Sequence, residues 1–202
     1  MIRKDLLAKG KPILFNTEMV QAIQDGQKTQ TRRIAKSQSK SGDDRKGSVP
    51  PYRAGDILYV RETWTRLECQ NCEGDRSGTC TRSPGGDNGC YIYRASHEIF
   101  GDAKWHPSIH MPKDAARIFL EVKDVHMEKL QEIGVEDCRA EGIYDDYKCL
   151  SEKYHNALVN VAYPLTFANL WNSTVKKKDL EKYGWEANPL VWVIQFERIE
   201  ED

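Results

Sequence analysis

The chain has 202 residues, of which 39% are hydrophobic and 30% charged, and its formal net charge is −1. This length allows a real hydrophobic core, and the near balance of basic and acidic side chains excludes a uniformly basic surface. No stretch approaches the ~20 apolar residues of a membrane helix, and the first residues lack the apolar run of a signal peptide. We therefore expect a cytoplasmic protein with reduced thiols and no membrane partner.

The first elements of the chain are predicted from short apolar runs and their flanking residues. PILF at 12–15 is typical of a short strand, and NTEMVQAIQDG after it predicts a helix. Asn16 or Thr17 is a suitable N-cap, and Gly26 is a suitable C-terminal stop. The stretch GQKTQTRR at 26–33 therefore begins where this helix ends.

GQKTQTRR concentrates basic and hydroxyl side chains in one place: Lys28, Thr29, Thr31, Arg32 and Arg33. One interpretation is a solvated helix exit whose cations face the negative helix end. Another is a site, since Arg offers a planar fork for phosphate or carboxylate and Lys offers a point charge. If the stretch is extended, alternate side chains share a face. A hydroxyl activated by an amine requires a neutral Lys28, which means a pKa shift of roughly 3 units.

The remaining elements follow from composition and alternation. Residues 36–50 are polar and predict a loop, and 135–142 predict a short helix. A longer helical region ends near PLTFANLWNS, where Pro164 suits a first helical turn. Strand signals lie at 55–64, 91–94, 116–127 and 190–199. Because strands dominate without a regular βα alternation, we predict a small mixed sheet or barrel of the α+β class, with short flanking helices.

A cysteine cluster occupies a polar insertion at 67–90. Its four cysteines have the spacing C-x2-C-x7-C-x9-C: Cys69, Cys72, Cys80 and Cys90. The residues between them supply no apolar side chain to bury, whereas a zinc ion held by four thiolates would contribute on the order of 10 kcal/mol of folding energy. We therefore predict a structural zinc knob on these four cysteines. His97 in place of one cysteine and an unliganded insertion are the alternatives. Cys138 and Cys149 stand apart as ordinary small residues.

Five segments in order resemble the ASCH-domain proteins of phages and prophages, which are relatives of the PUA RNA-binding domain. They are KPILFNTEMVQAIQDGQKTQTRR, GDILYVRETW, WHPSIHMPKDAARIFLEVKDV, CRAEGI and NPLVWVIQFERI, and they span residues 11–199. The resemblance implies a single PUA-like domain over 1–202, built as a β-barrel with flanking helices and a cleft lined by the G-x-K-T-x-T-x-R stretch. The loop at 36–50 and the insertion at 67–90 are additions to that pattern.

The resemblance also implies a function. A bacterial branch of ASCH proteins comprises N4-acetylcytidine amidohydrolases, whose catalytic set is a Lys and a Thr from this stretch and a Glu on a later helix. These carry over to Lys28, Thr31 and Glu141. The chain is about twice as long as those compact enzymes, so its substrate is open.

Two functions follow from these residues. The first is hydrolysis of an N4-acylcytidine-like amide, which needs no metal for catalysis. Here Lys28 is the base, Thr31 attacks the carbonyl or positions water, and Glu141 holds Lys28 or the leaving amine. The second is a module that binds RNA or a modified nucleotide, with or without ribonuclease activity. The residues expected to contact the nucleoside or RNA ligand are Thr29, Arg32, Arg33, Arg61, Glu62 and Trp64.

Overall fold

A computed structural model describes residues 3–36, 48–67, 90–96, 104–143 and 152–200. The strands are β1 (Lys11–Leu14), β2 (Gln30–Ile34), β3 (Ile57–Arg61), β4 (Trp64–Leu67), β5 (Cys90–Tyr93), β6 (Phe119–Lys129) and β7 (Leu190–Ile199). The α-helices are α1 (Arg3–Lys9), α2 (Thr17–Gln24), α3 (Val135–Ala140), α4 (Glu152–Thr174) and α5 (Leu180–Tyr183).

Five strands form one mixed sheet in the order β1-β3-β6-β7-β2, and β4 and β5 form a separate antiparallel pair. The α+β class and the mixed sheet are confirmed. The predicted closed barrel is wrong, because β1 and β2 are the two edges of this sheet among the described residues. Pro12 lies in β1, which is consistent with an edge strand because proline cannot donate a ladder hydrogen bond.

Most predicted elements appear close to their expected positions. The segment 190–199 coincides with β7, and 116–127 overlaps most of β6. Helix α2 begins after Asn16, whose side chain accepts a hydrogen bond from Met19 N at 2.8 Å. The short flanking helices are confirmed, and the predicted longer helical region is α4, which has 23 residues and ends at Thr174. Pro164 lies inside α4 rather than in its first turn.

The described residues fall into two compact units. The first comprises 1–26, 55–121 and 197–202, and the second comprises 27–54 and 122–196. The boundaries fall within β6 and β7. The single domain over 1–202 stays a prediction.

The first unit has an aromatic core around β3 and β5. Its buried side chains are Leu6, Tyr59, Tyr91, Tyr93, Met111, Ala115, Ala116 and Phe119. β1 runs parallel to β3, and β3 pairs antiparallel with the start of β6.

The second unit has a core between α3, α4 and β7. Its buried side chains are Leu130, Ile133, Cys138, Tyr163, Phe167, Trp171 and Val191. β2 pairs antiparallel with β7 along its whole length, from Gln30 opposite Gln195 to Ile34 opposite Val191. This pairing places the second half of GQKTQTRR, residues 30–33, in a strand, whereas its first residues follow the end of α2.

Two predicted segments lie largely outside the described residues. These are the polar loop at 36–50 and the cysteine insertion at 67–90, of which only the ends are described. In the parts of the chain that are described, no helix combines the length and apolar character needed to cross a bilayer.

The N-cap of α2 gives a direct test of this fold. Replacing Asn16 with Ala removes the acceptor for Met19 N, so we expect a loss of about 1 kcal/mol in the free energy of unfolding. Asn16→Ser should retain most of the stability because its hydroxyl can accept the same bond. Urea denaturation measures both, and equal stability of Asn16→Ala and wild type would contradict this helix start.

Candidate functional site

Backbone contacts bring the segment before β2 to the end of α3. Thr29 N donates to the carbonyl of Ala140 at 2.8 Å, and Lys28 forms an isolated bridge with Glu141. On its other side, Phe196 N in β7 donates to the carbonyl of Thr29 at 2.8 Å. The predicted partners Lys28 and Glu141 are therefore placed side by side by main-chain hydrogen bonds.

Lys28 and Glu141 form a buried ion pair. Nζ of Lys28 donates to Oε2 of Glu141 at 2.8 Å and to the main-chain carbonyl of the same residue at 2.9 Å. The two side chains are 0% and 3% exposed. Glu141 is the C-cap of α3, so the ammonium also satisfies a carbonyl at the negative end of that helix. Gly142, with φ +89°, then turns the chain away from the helix.

Arg32 occupies the other side of the Glu141 carboxylate. Its Nη1 donates to Oε1 of Glu141 at 3.1 Å, and its Nε donates to Oε1 of Glu128 at 2.8 Å. Nη2 lies 2.6 Å from the same Glu128 oxygen and 3.6 Å from Oδ2 of Asp137. The side chain is 1% exposed, so a direct contact between Arg32 and a phosphate would require these pairs to break.

The alternation of β2 separates its side chains. Gln30 and Arg32 contact the same neighbours on α3, since Nε2 of Gln30 donates to the carbonyl and to Oδ1 of Asp137, both at 3.1 Å. Thr31 is also buried, but alternation assigns its side chain to the opposite face. Thr29 is exposed. The structure thus joins Lys28, Arg32 and Glu141 and sets Thr31 apart from Arg32.

Burial is the main electrostatic influence on Lys28. It lowers the pKa of this amine, Glu141 opposes the shift by attraction and hydrogen bonding, and the cations Arg33 and Arg32 reinforce it. Burial also lowers the pKa of Arg33, whereas Tyr52 and Glu141 act to raise it. The net direction for Lys28 is towards the neutral amine that acid–base chemistry requires.

Three of the residues predicted to contact the ligand lie in the first unit: Arg61, Glu62 and Trp64. The guanidinium of Arg61 donates to the carbonyls of Met111 and Ile109. Glu62 is buried, and both of its oxygens accept from Arg117, at 2.8 and 2.9 Å. The ring of Trp64 lies 5.0 Å from that of His106 and 5.5 Å from that of Tyr91, so it packs within the protein.

Sequence reasoning missed Glu128, Asp137 and Arg117. The carboxylate of Asp137 accepts a hydrogen bond from Gly134 N at 3.1 Å and another from Gln30. In the sequence, only the acidic first turn of the predicted helix indicated a role for Asp137. Glu128 lies in a charged, alternating part of β6 that is typical of a solvated strand face. Cys138, which was predicted to be an ordinary small residue, is buried in the core of the second unit, and burial raises the pKa of its thiol to about 12.

The cysteine cluster lies outside the described residues, apart from the backbone of Cys90 in β5. Within the described ranges, no group of three or more His, Cys, Asp or Glu side chains is arranged to hold a metal ion. The zinc knob stays a prediction.

Comparison of this chain with protein-family models, curated proteins and solved structures found no match.

The lowered pKa of Lys28 predicts a pH dependence of stability. The folded state binds the proton of Lys28 more weakly than the unfolded chain, whose ordinary pKa is 10.5. Stability from this group therefore rises with pH between the folded and unfolded pKa values. The difference in unfolding free energy between wild type and Lys28→Met should therefore grow in favour of wild type between pH 7 and pH 10.

Urea denaturation at several pH values measures this difference. Lys36→Met, which removes an exposed lysine from the same unit, should show no such growth. A difference that shrinks as pH rises would mean that the ion pair raises the pKa of Lys28, in conflict with the site described.

Proposed function

We propose that this chain is an ASCH-type amidohydrolase that removes an acyl group from an N4-acylcytidine-like base. The observation that carries the proposal is the buried amine of Lys28, held 2.8 Å from the carboxylate of Glu141 in surroundings that lower its pKa. A base whose pKa is brought towards neutrality is what general acid–base catalysis needs. The order of the five ASCH-like segments supports the same assignment.

The proposed chemistry is a metal-independent hydrolysis. Neutral Lys28 takes a proton as oxygen adds to the amide carbonyl, and the resulting ammonium returns a proton to the cytosine amine as the C–N bond breaks. A carboxylic acid and the free amine leave. Glu141 orients Lys28 throughout, and Arg33 neutralises charge that develops on the carbonyl oxygen.

The position of Thr31 bears on the identity of the nucleophile. Arg32 shares the Glu141 carboxylate with Lys28, and strand alternation assigns Thr31 to the opposite face from Arg32. This arrangement supports an attacking water, with Thr31 in a positioning role, rather than an acyl-threonine intermediate. The substrate must reach Nζ of Lys28, whose side chain is fully buried, so substrate binding is coupled to local opening.

Recognition without chemistry is the second candidate function. The complete burial of Lys28 and its bond to the carbonyl at the end of α3 favour it, because both are also expected of a purely structural residue. In that case a nucleoside or RNA ligand would contact Thr29, which is exposed, and Arg33, which is partly exposed.

Turnover of N4-acetylcytidine separates the two candidates. We expect wild type and Lys36→Met to release cytidine, Lys28→Met to lose about 10³-fold in kcat/KM, and Glu141→Gln to lose at least about 10²-fold. Thr31→Val should retain part of the activity, since water remains as the nucleophile. Chromatography of the released base measures each rate.

Two outcomes of this assay would contradict the proposed hydrolysis. Wild-type activity in Lys28→Met would eliminate the proposed base. Binding of N4-acetylcytidine without any turnover by wild type would select recognition.

We also propose a structural zinc ion on Cys69, Cys72, Cys80 and Cys90, supported by their spacing alone. Elemental analysis of the purified protein should give one zinc per chain, and Cys72→Ser should lower the zinc content because a thiolate ligand is lost. Cys149→Ser, outside the set, should leave it unchanged. A zinc-free wild type would contradict the proposal.

A further inference from the structure

Glu128 on β6 joins the buried site to the protein surface. Its Oε1 accepts from Nε of Arg32 at 2.8 Å and lies 2.6 Å from Nη2 of the same side chain. Its Oε2 lies 3.8 Å from Nε2 of His126, which is exposed. The Glu128 side chain is 17% exposed and that of Arg32 is 1% exposed, so the carboxylate covers the guanidinium.

The guanidinium of Arg32 is fixed on several sides. Glu128 accepts a hydrogen bond from Nε of Arg32, and Glu141 accepts one from Nη1. The centre of the guanidinium also lies 5.8 Å from the ring centre of Phe167 on α4. Because the guanidinium is planar and rigid, fixing the Nε edge determines where Nη1 points. The position of Nη1 in turn determines which oxygen of Glu141 remains for Lys28.

We propose that Glu128 is a positioning residue for the Lys28–Glu141 pair. By holding Arg32 through Nε, it keeps Nη1 on Oε1 of Glu141 and leaves Oε2 to accept from Lys28. The effect of Glu128 on catalysis rests on the proposed amidohydrolase function, whereas the effect of Glu128 on Lys28 does not depend on that function.

Glu128 also offsets the charge of Arg32. Without this carboxylate, the Arg32 cation is less neutralised and is free to draw both oxygens of Glu141 away from Lys28. Both changes disfavour a protonated Lys28. Further charged or titratable groups of this network are Arg33 on β2, Tyr52 near Arg33, Asp137 and Cys138 on α3, and Asp124 and His126 on β6.

A side-chain NMR titration of Lys28 tests the proposal without any substrate. In protein with ¹³C-labelled lysine, the Lys28 signal is assigned by its absence from Lys28→Met. Glu128→Gln keeps the size of the side chain and removes its charge, and it should lower the pKa of Lys28 by about 0.5–1 unit. An unchanged or raised pKa would overturn the proposal.

Asp124→Asn is the matched control. Asp124 lies on the same strand, and its side chain pairs with His126 at 2.6 Å while remaining more than half exposed. Removing a well-solvated charge should move the pKa of Lys28 by less than about 0.2 unit. If Asp124→Asn lowers it as much as Glu128→Gln does, the effect is general electrostatics and the positioning role is rejected.

A second variant and a kinetic readout complete the test. If Glu128→Gln does not fold, Glu128→Asp keeps the charge but withdraws it from Arg32, and the pKa of Lys28 should again fall below that of wild type; an equal or higher value overturns the proposal. With active enzyme, Glu128→Gln should lower kcat about tenfold and leave KM unchanged, because Nζ of Lys28 is no longer held on Oε2 of Glu141 even though more of the amine is neutral. A wild type without turnover would reject the proposed function, while the titration would still decide the role of Glu128.

Discussion

The second unit depends on how the buried carboxylate of Glu141 is satisfied. A carboxylate with 3% exposure is costly to desolvate unless cations and donors surround it. Lys28 and Arg32 supply these, one for each oxygen. Removing either cation would leave an incompletely compensated charge in the interior, so the sequence at 28–32 is constrained by Glu141 more than by strand propensity.

This requirement links elements that are far apart along the chain. Arg32 extends from β2 to Glu128 on β6 and to Asp137 and Glu141 around α3. Gln30 adds two further hydrogen bonds to Asp137. The charges therefore fix the position of α3 against β2, while apolar side chains such as Phe167 and Trp171 fill the core behind it. Packing supplies most of the stability of such a unit, and the network specifies one arrangement.

The same arrangement connects structure to the proposed chemistry. An isolated buried lysine would lose its proton, and a lysine beside a single carboxylate would keep it. For Lys28, burial outweighs the attraction of Glu141, and two nearby arginines act in the same direction as burial, so the pKa is lowered. A structural ion pair and a catalytic base thus use the same atoms, and the pKa of Lys28 distinguishes them.

Sequence reasoning predicted the features that depend on local pattern. The alternation in β6 and β7, the Asn16 cap and the stop at Gly26 are local signals, and all appear in the structure. The Lys28–Glu141 partnership came from the resemblance rather than from spacing, since 113 residues separate the two.

Features decided by tertiary contacts were missed. β2 reads as polar and basic, and it becomes a strand because β7 pairs with all five of its residues. Pro164 has the local character of a helix start, yet it lies within α4. Glu128 resembles a solvated residue until Arg32, 96 positions away, is placed against it. An open sheet or a barrel gives the same strand pattern, so edge pairing could not be predicted.

The most direct test of this account is a double-mutant cycle between Lys28 and Glu141. Lys28→Met, Glu141→Gln and the double variant would be unfolded with urea at neutral pH beside wild type. We predict a coupling free energy of about 1–3 kcal/mol, because the two side chains share a buried hydrogen bond and their separate losses cannot be additive. A coupling below about 0.3 kcal/mol would mean that the two residues act independently, and it would contradict the buried pair on which this account rests.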